Sequence, residues 1–481
     1  MNDKEINIAV IGTGISGLRT AYILSKRKDG KLKSITLFDQ NDSIGGVLKN
    51  TKYNGYCLEH GAQGVLLSKD SFKNCVDELD LNHKILLPGK SKLKRYLITP
   101  SEIVPITPNL FKYKKKGLLR IRDILRIFLE VFIKKPITQN PNESLYGFFS
   151  RRFGKKFAST FLVPLSFGIW GGSSRKLLVR YTFPQLIKIE NGYGSLFKAG
   201  IYKLCKKIFS KNKKKDLELA SFSEGLPYLI QSLYKEIKEN CTKNNIQLSF
   251  NSSSKISEIN KHENKIKLIY TSLINNDTSF ALFESVIYTG QPWRENGILT
   301  SPQCPVASNA YQNLKKIESH SIAVVGLGGK NIENNAPQGF GALAGEWSQD
   351  ILGVLFVHSI YPQHAPEKSF FYRVMLGGDR NPNINLLTNE QLLELSKQRL
   401  KEINIITDKT EFDFTEVIKW DNYIPLSTEL QDKVLQSIWQ LEAIIPGLFF
   451  AGNYIKGPAV PDCILQANET AEKVMHYIDK I

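Results

Sequence analysis

The stretch Gly12-Thr-Gly-Ile-Ser-Gly-Leu18 follows directly on the apolar run Ile8-Ala-Val-Ile11. A strand that runs straight into a glycine turn of this spacing leaves a chain few folds to adopt. Gly12 permits the tight turn, Gly14 lets the backbone approach a pyrophosphate, and Gly17 lets the following helix pack closely on the strand. That helix, opening at Ile15 and Ser16, offers free N–H groups and the positive end of its dipole to phosphate. A second strand, Ser34-Ile-Thr-Leu-Phe38, ends at Asp39, 22 residues past Gly17, where a carboxylate meets ribose hydroxyls. A glycine turn alone is compatible with any α/β protein. Strand, turn, helix, strand and acid in this order read as the start of a dinucleotide-binding domain.

The next segment selects the dinucleotide. In "FDQNDSIGGVLKN" the pair Gly45-Gly46 stands six residues past the acid, with Lys49 as a nearby cation. It resembles the second signature of FAD-containing oxidases and desaturases, an extension that nicotinamide-binding folds do not ordinarily carry. "YCLEHGAQGVL" (56–66) resembles the segment that passes beneath the flavin ring, which implicates Gly61, Ala62 and Gln63. Residues 447–475 read as a strand, a glycine turn and a helix. In flavin oxidases this strand delivers the positions of Gly452 and Asn453 near the pyrophosphate. The helix points its N-terminus at the flavin pyrimidine, where its dipole stabilises an anionic reduced ring. The same resemblance places Ile256, Trp420, Val460, Asp462 and Cys463 against the cofactor.

Five further blocks are in the order found in one family. "FGIWGGSSRKLLVRYTFPQL" (167–186), "SFSEGLPYLIQSLYKEI" (221–237), "QGFGALAGEWSQDILGVLFVHSIYPQ" (338–363), "YRVMLGG" (372–378) and "GPAVPDCI" (457–464) resemble the oxygen-dependent protoporphyrinogen oxidases of the HemY type, within the FAD amine oxidase and desaturase superfamily. The resemblance runs nearly end to end. It implies an α/β architecture with a discontinuous Rossmann-like FAD-binding domain (1–90, 216–295 and 412–481), a helical membrane-associated domain (91–215) and an antiparallel-sheet substrate domain (296–411). It also implies a six-electron oxidation of protoporphyrinogen IX to protoporphyrin IX in heme biosynthesis, with O2 as acceptor and hydrogen peroxide released.

For the substrate, the resemblance points to Phe340, Gly341 and Leu343 in "GFGAL", to Met375 and Gly377 on a facing strand, and to Gly168 and Ile169 from the helical side. Arg95, in "KLKRYLITP", matches the family's basic residue for a propionate. Without the resemblance, Arg95 reads as a surface arginine and Phe340 and Met375 as core. No catalytic base and no metal site is assigned. Departures from the family pattern are Ala62-Gln63 in place of proline followed by Asn or Asp, Asp39 in place of the commoner Glu, and Trp170 in place of a smaller residue. Other readings are coproporphyrinogen III as substrate, a non-catalytic FAD- and porphyrin-binding protein, and a flavin amine oxidase.

Charge adds a partner. The 481-residue chain carries a net +18, which suits an anionic surface or ligand. In residues 111–135 nine Lys or Arg face two acids, a net +7. There Leu118, Ile121, Leu125, Phe128 and Phe132 recur at helical spacing, with Arg122, Arg126 and Glu130 elsewhere on the wheel. A helix of this kind either lies in a membrane interface with its lysines toward anionic headgroups or turns its apolar face to the core. A second basic cluster at 203–216 adds to the first. The expected setting is the inner membrane face on the cytoplasmic side. Ferrochelatase and a second copy of the chain are further partners the resemblance allows. Nucleic acid is not expected, because no binding module is recognised. The six scattered cysteines form no C-x-x-C pair and the seven histidines no ligand-spaced cluster, as in a reducing compartment. No apolar run is long enough to span a bilayer, and no secretory signal opens the chain.

Overall fold

The computed structural model describes residues 5–88, 94–209, 219–294, 305–330 and 336–481. Five parallel strands form the first sheet, in the order Gln247–Asn251, Leu32–Phe38, Ile6–Ile11, Ser285–Tyr288 and Leu448–Phe450. Alternate residues of a strand face opposite sides, and both sides are covered here, so the central strands are apolar throughout. Ile8 and Val10 enter one core beneath the first helix (Ile15–Ser25), the Pro227–Lys243 helix and the closing helix (Val460–Lys480). Ala9 and Ile11 enter the other, beneath helices Pro305–Lys315 and Gln431–Ile444 and a three-stranded antiparallel meander.

The second sheet has seven strands, ordered Phe414–Pro425, Ser319–Lys330, Ser369–Gly377, Ile351–Phe356, Gly341–Ala344, Arg95–Ile98 and Ile103–Pro105. Its membership shifts the expected boundaries. Residues 95–105 leave the helical segment to become two strands, and 414–425 leaves the closing cofactor segment to form the opposite edge. The sheet is antiparallel except where Gly341–Ala344 runs parallel to Arg95–Ile98.

The basic stretch of the helical segment is broken where one helix was expected. Helix Leu110–Lys115 stops before Gly117 at φ +69°, a second begins at Ile121 with its first turn closed by Asp123, whose carboxylate accepts the Arg120 N–H at 2.8 Å, and a tighter turn covers Leu129–Phe132. Ile124 and Ile127 are buried, whereas Ile121, Leu125, Phe128 and Phe132 stand in solvent. Glu130, expected on the polar face, is fully buried. It accepts the Leu196 and Phe197 N–H groups at 3.0 and 3.1 Å, which satisfies the open start of the Leu196–Phe209 helix. Arg152 bridges Glu130 and Glu190. No helix among the described residues is long and apolar enough to cross a membrane. Residues 210–216 of the second basic cluster lie outside the described residues.

Candidate cofactor and substrate site

The glycine turn is built by contact. A Cβ on Gly17 would lie 1.9 Å from the Gly12 carbonyl oxygen, so helix and strand meet there only through glycine. Gly14 differs: an added Cβ would find nothing nearer than Gly46 Cα at 4.0 Å. The Gly45-Gly46 segment abuts Gly14, since a Cβ on Gly46 would lie 3.2 Å from Gly14 Cα and the Gly45 N–H donates to the Thr13 carbonyl at 2.9 Å. The space an added Gly14 Cβ would enter is left as an open slot. The first helix starts at Ile15 with Gly14 as its cap and no side chain bonded to the free N–H groups of its first turn, which includes Ser16. The closing helix likewise starts at Val460 without a side-chain cap. The chain ends converge: Ile15 and Leu18 share a core with Val460, Cys463 and Ile464, and Arg19 Nε donates to Asn468 Oδ1 at 2.8 Å.

Around this slot the expected cofactor residues take different positions. Asp39 is buried, with one carboxylate oxygen accepting from the Thr13 N–H (2.8 Å) and hydroxyl (2.6 Å) and the other from the Asn41 N–H (2.9 Å) and amide (2.8 Å). The shorter acid is thereby turned onto the phosphate loop. Its carbonyl accepts the Ser254 N–H at 2.8 Å, which brings Ile256, buried in the meander core, to the same end of the sheet. Lys49 Nζ donates to Ser43 Oγ at 2.9 Å. Gly452 lies just after the last parallel strand, and a Cβ there would strike the Tyr454 ring. Asp462 has Lys69 at 3.8 Å, and burial raises its pKa. Burial pushes the Cys463 thiol up to about 12, so it packs rather than reacts.

The segment expected beneath the flavin is held from the second sheet. Trp420 Nε1 donates to the His60 carbonyl at 3.0 Å, and Arg373 donates to the carbonyls of Glu59 (3.1 Å) and Gly61. Gly61 fits because a Cβ would lie 2.6 Å from the Val47 carbonyl. Ala62 packs at the edge of the nucleotide core. Gln63 is buried with neither its amide nitrogen nor its oxygen bonded to protein. Burial pushes Glu59 up to about 8 and His60 down to about 4. An open slot lined by glycine, two uncapped helix starts and an orphaned buried amide fit a dinucleotide that carries a flavin ring.

Beyond the ring segment lies an apolar cluster. Phe167, Phe340, Met375 and Trp420 pack in the same cluster as Tyr56 and Leu58 of the flavin-side strand. The parallel pairing sets Gly341 opposite Arg95, and the Arg95 guanidinium lies 5.2 Å above the Phe340 ring. Gly168 gives room to Leu343, whose Cδ2 a Cβ would meet at 2.4 Å. Ile169 is half-exposed beside it. Gly377 serves the turn instead of the wall: at φ +99° it faces Ile384. Trp170 turns into the helical core, edge-on to Phe183 at 5.2 Å, and leaves the cluster untouched. Among the described residues no group of three His, Cys, Asp or Glu is arranged to hold a metal.

The model of the family "flavin containing amine oxidoreductase" matches residues 15–475. The chain belongs to that family. FAD is its cofactor, and the protein is an FAD-dependent oxidoreductase. Its relatives include the mitochondrial protoporphyrinogen oxidase of Nicotiana tabacum, 27% identical over 98% of this chain and 95% of that one. The coproporphyrinogen III oxidase of Bacillus subtilis (strain 168) is 24% identical over 99% and 100%. A crystal structure of an Exiguobacterium sp. 255-15 protein shares the fold at a TM-score of 0.81, with 19% identity over 98% of this chain and 99% of that one.

Thr13, Asn41, Glu59 and Arg373, which the sequence reading passed over, brace the candidate site by their hydrogen bonds. Arg373 left one signal: it is the lone charge in the apolar strand Phe370-Phe-Tyr-Arg-Val-Met-Leu376.

Proposed function

We propose that this flavin oxidoreductase oxidises a porphyrinogen, protoporphyrinogen IX in preference to coproporphyrinogen III, by six electrons, with O2 as acceptor and hydrogen peroxide released, as a step of heme biosynthesis. The observation that carries the reading is the single apolar cluster joining Tyr56 and Leu58 on the flavin side to Phe167, Phe340 and Met375. A flat, greasy macrocycle needs such a wall, with few polar groups to orient it. Full-length relatives named for both porphyrinogens support the substrate class.

When bound, FAD supplies two-electron oxidation at carbon. The remaining tasks belong to the chain. The cluster keeps water from the reacting face. Trp420 and Arg373 hold the His60-Gly61 backbone, which would support the flavin, and Arg95 above Phe340 would meet a propionate at the rim.

The same reading includes docking on an anionic membrane. Exposed Phe111, Ile121, Leu125, Phe128 and Phe132 lie within the basic stretch that also carries Lys112, Lys114, Lys115 and Lys116. Greasy side chains ringed by lysines suit the headgroup boundary of a bilayer.

Anaerobic mixing of the yellow holoenzyme with each porphyrinogen tests the substrate. Bleaching of the flavin band faster with protoporphyrinogen is the expected result, and faster bleaching with coproporphyrinogen reverses the preference. Binding of porphyrin without bleaching by either would mark a non-catalytic carrier.

A further inference from the structure

Arg380 has no part in the site as described so far. It follows the strand Ser369–Gly377, five residues after Met375, in a short turn that docks on the end of the Val163–Trp170 helix. The docking is tight: the Asp379 N–H donates to the Gly171 carbonyl at 2.8 Å, and a Cβ on Gly378 would lie 2.2 Å from that same oxygen. From this junction the Arg380 guanidinium reaches over the Phe167 ring, 3.7 Å from its centre. Phe167 is a member of the apolar cluster that also holds Met375, Phe340 and the flavin-side residues. Both terminal nitrogens of Arg380 are buried, and neither has a hydrogen-bond partner.

A guanidinium carries five N–H donors and stays charged at neutral pH. Burying it without an acceptor is costly, and protein interiors ordinarily pair such groups. The nearby acids are committed elsewhere or lie beyond bonding reach. Glu346 pairs with Arg175 at 3.1 Å, and Asp379 with Lys176 at 3.2 Å. Burial pulls Arg380 down to about 10, and the charge of Glu346 only partly opposes this. The ring of Phe167 covers one face of the guanidinium plane but accepts none of its edge donors. What is missing is a planar anion at the edge.

We propose that Arg380 binds a carboxylate of the substrate, from the helix-facing side of the apolar wall and independently of Arg95, which stands over Phe340. This assignment rests on the porphyrinogen reading, whose propionates supply the carboxylates. It gives the wall two cations, each seated on a phenyl ring of one cluster, so that a macrocycle is fixed in the plane by its acidic edge. Paired, near-parallel N–H donors match a carboxylate bidentately, which an ammonium cannot do.

The test compares binding of protoporphyrin IX and of its dimethyl ester to holoenzyme, followed by porphyrin fluorescence in the same detergent. In Arg380→Met the free acid should bind about ten- to hundred-fold more weakly, the scale of a lost charge-assisted pair, while the ester binds as it does to the unaltered protein. Arg380→Lys should give an intermediate loss, again for the acid alone, and serves if the methionine variant does not fold. Flavin absorbance and Tm establish that each variant retains its cofactor and fold. Equal loss for acid and ester, or loss for neither, overturns the assignment and leaves Arg380 as a packing residue. If the unaltered protein binds neither porphyrin, the porphyrinogen reading itself fails, and the role of Arg380 falls with it.

Discussion

Gly14 and Gly17, three residues apart in one turn, have opposite tolerances. A methyl group on Gly17 would overlap the Gly12 carbonyl at 1.9 Å, whereas one on Gly14 would stand in the open slot opposite Gly46. Gly17→Ala should therefore cost folding, seen as a lowered Tm or insoluble protein. Gly14→Ala should fold with an unchanged apoprotein Tm yet lose its yellow colour on gel filtration, because the methyl group occupies the room a pyrophosphate needs. Glu59 carries a pH prediction. Burial raises its pKa from 4.5 to about 8, so the folded protein holds a proton that the unfolded chain releases. Its contribution to stability is complete below about pH 4.5 and is lost as pH rises through 8. Glu59→Gln keeps the acceptor for the Leu226 N–H and cannot ionise. The fall in Tm between pH 6 and pH 9 should be smaller in the variant.

Among elements, the basic helical segment keeps the expected spacing of apolar residues but not the expected single helix. The spacing from Ile121 to Phe132 holds, but Gly117 ends the preceding helix and the last turn tightens, so no long rod forms. The inward side is fixed by Ile124 and Ile127 and by the buried Glu130, Arg152 and Glu190, which tie the Leu129–Phe132 turn to helices Leu145–Phe153 and Pro184–Tyr193. That anchoring leaves Leu125 and Phe132 outside, whereas Phe128 stacks on Phe197 at 6.4 Å. Leu125→Ser with Phe132→Ser should leave Tm and flavin content unchanged but release the protein from anionic liposomes in a flotation assay. Replacing Lys112, Lys114, Lys115 and Lys116 by Gln should do the same, with a salt dependence that disappears. Undiminished binding by both variants would reject the docking surface.

In the molecule as a whole, Arg373 ties the seven-stranded sheet to the Glu59–Gly61 segment that leaves the Tyr56–Glu59 hairpin strand. Its guanidinium fastens the carbonyls of Glu59 and Gly61, 314 residues away in sequence for the first of them. Arg373→Met should lower the unfolding free energy by at least about 1.5–3 kcal/mol, the scale of a bond to a buried charge. It should also speed flavin loss on dilution, measured by recovery of flavin fluorescence. An Arg373→Met protein as stable and as yellow as the unaltered one would show that the ring segment needs no such tether.

The nucleotide half of the protein was legible in the chain because its rules are local. Glycines at fixed spacing, an apolar strand before them and an acid after the next strand each act through backbone geometry within some thirty residues. The closing helix could be read by the same logic at the other end. The substrate half was legible only as a list of residues. Which of them meet depends on strand pairings across hundreds of positions, as when Arg95 lands beside Gly341 or when residues 414–425 become a sheet edge. Burial and charge pairing are likewise long-range. A string of letters gives Glu130, Arg373 and Arg380 the same weight as any surface charge. Folding puts the first among helix N–H groups, binds the second to carbonyls and leaves the third without an acceptor, because desolvation and distance exist only once remote segments have packed.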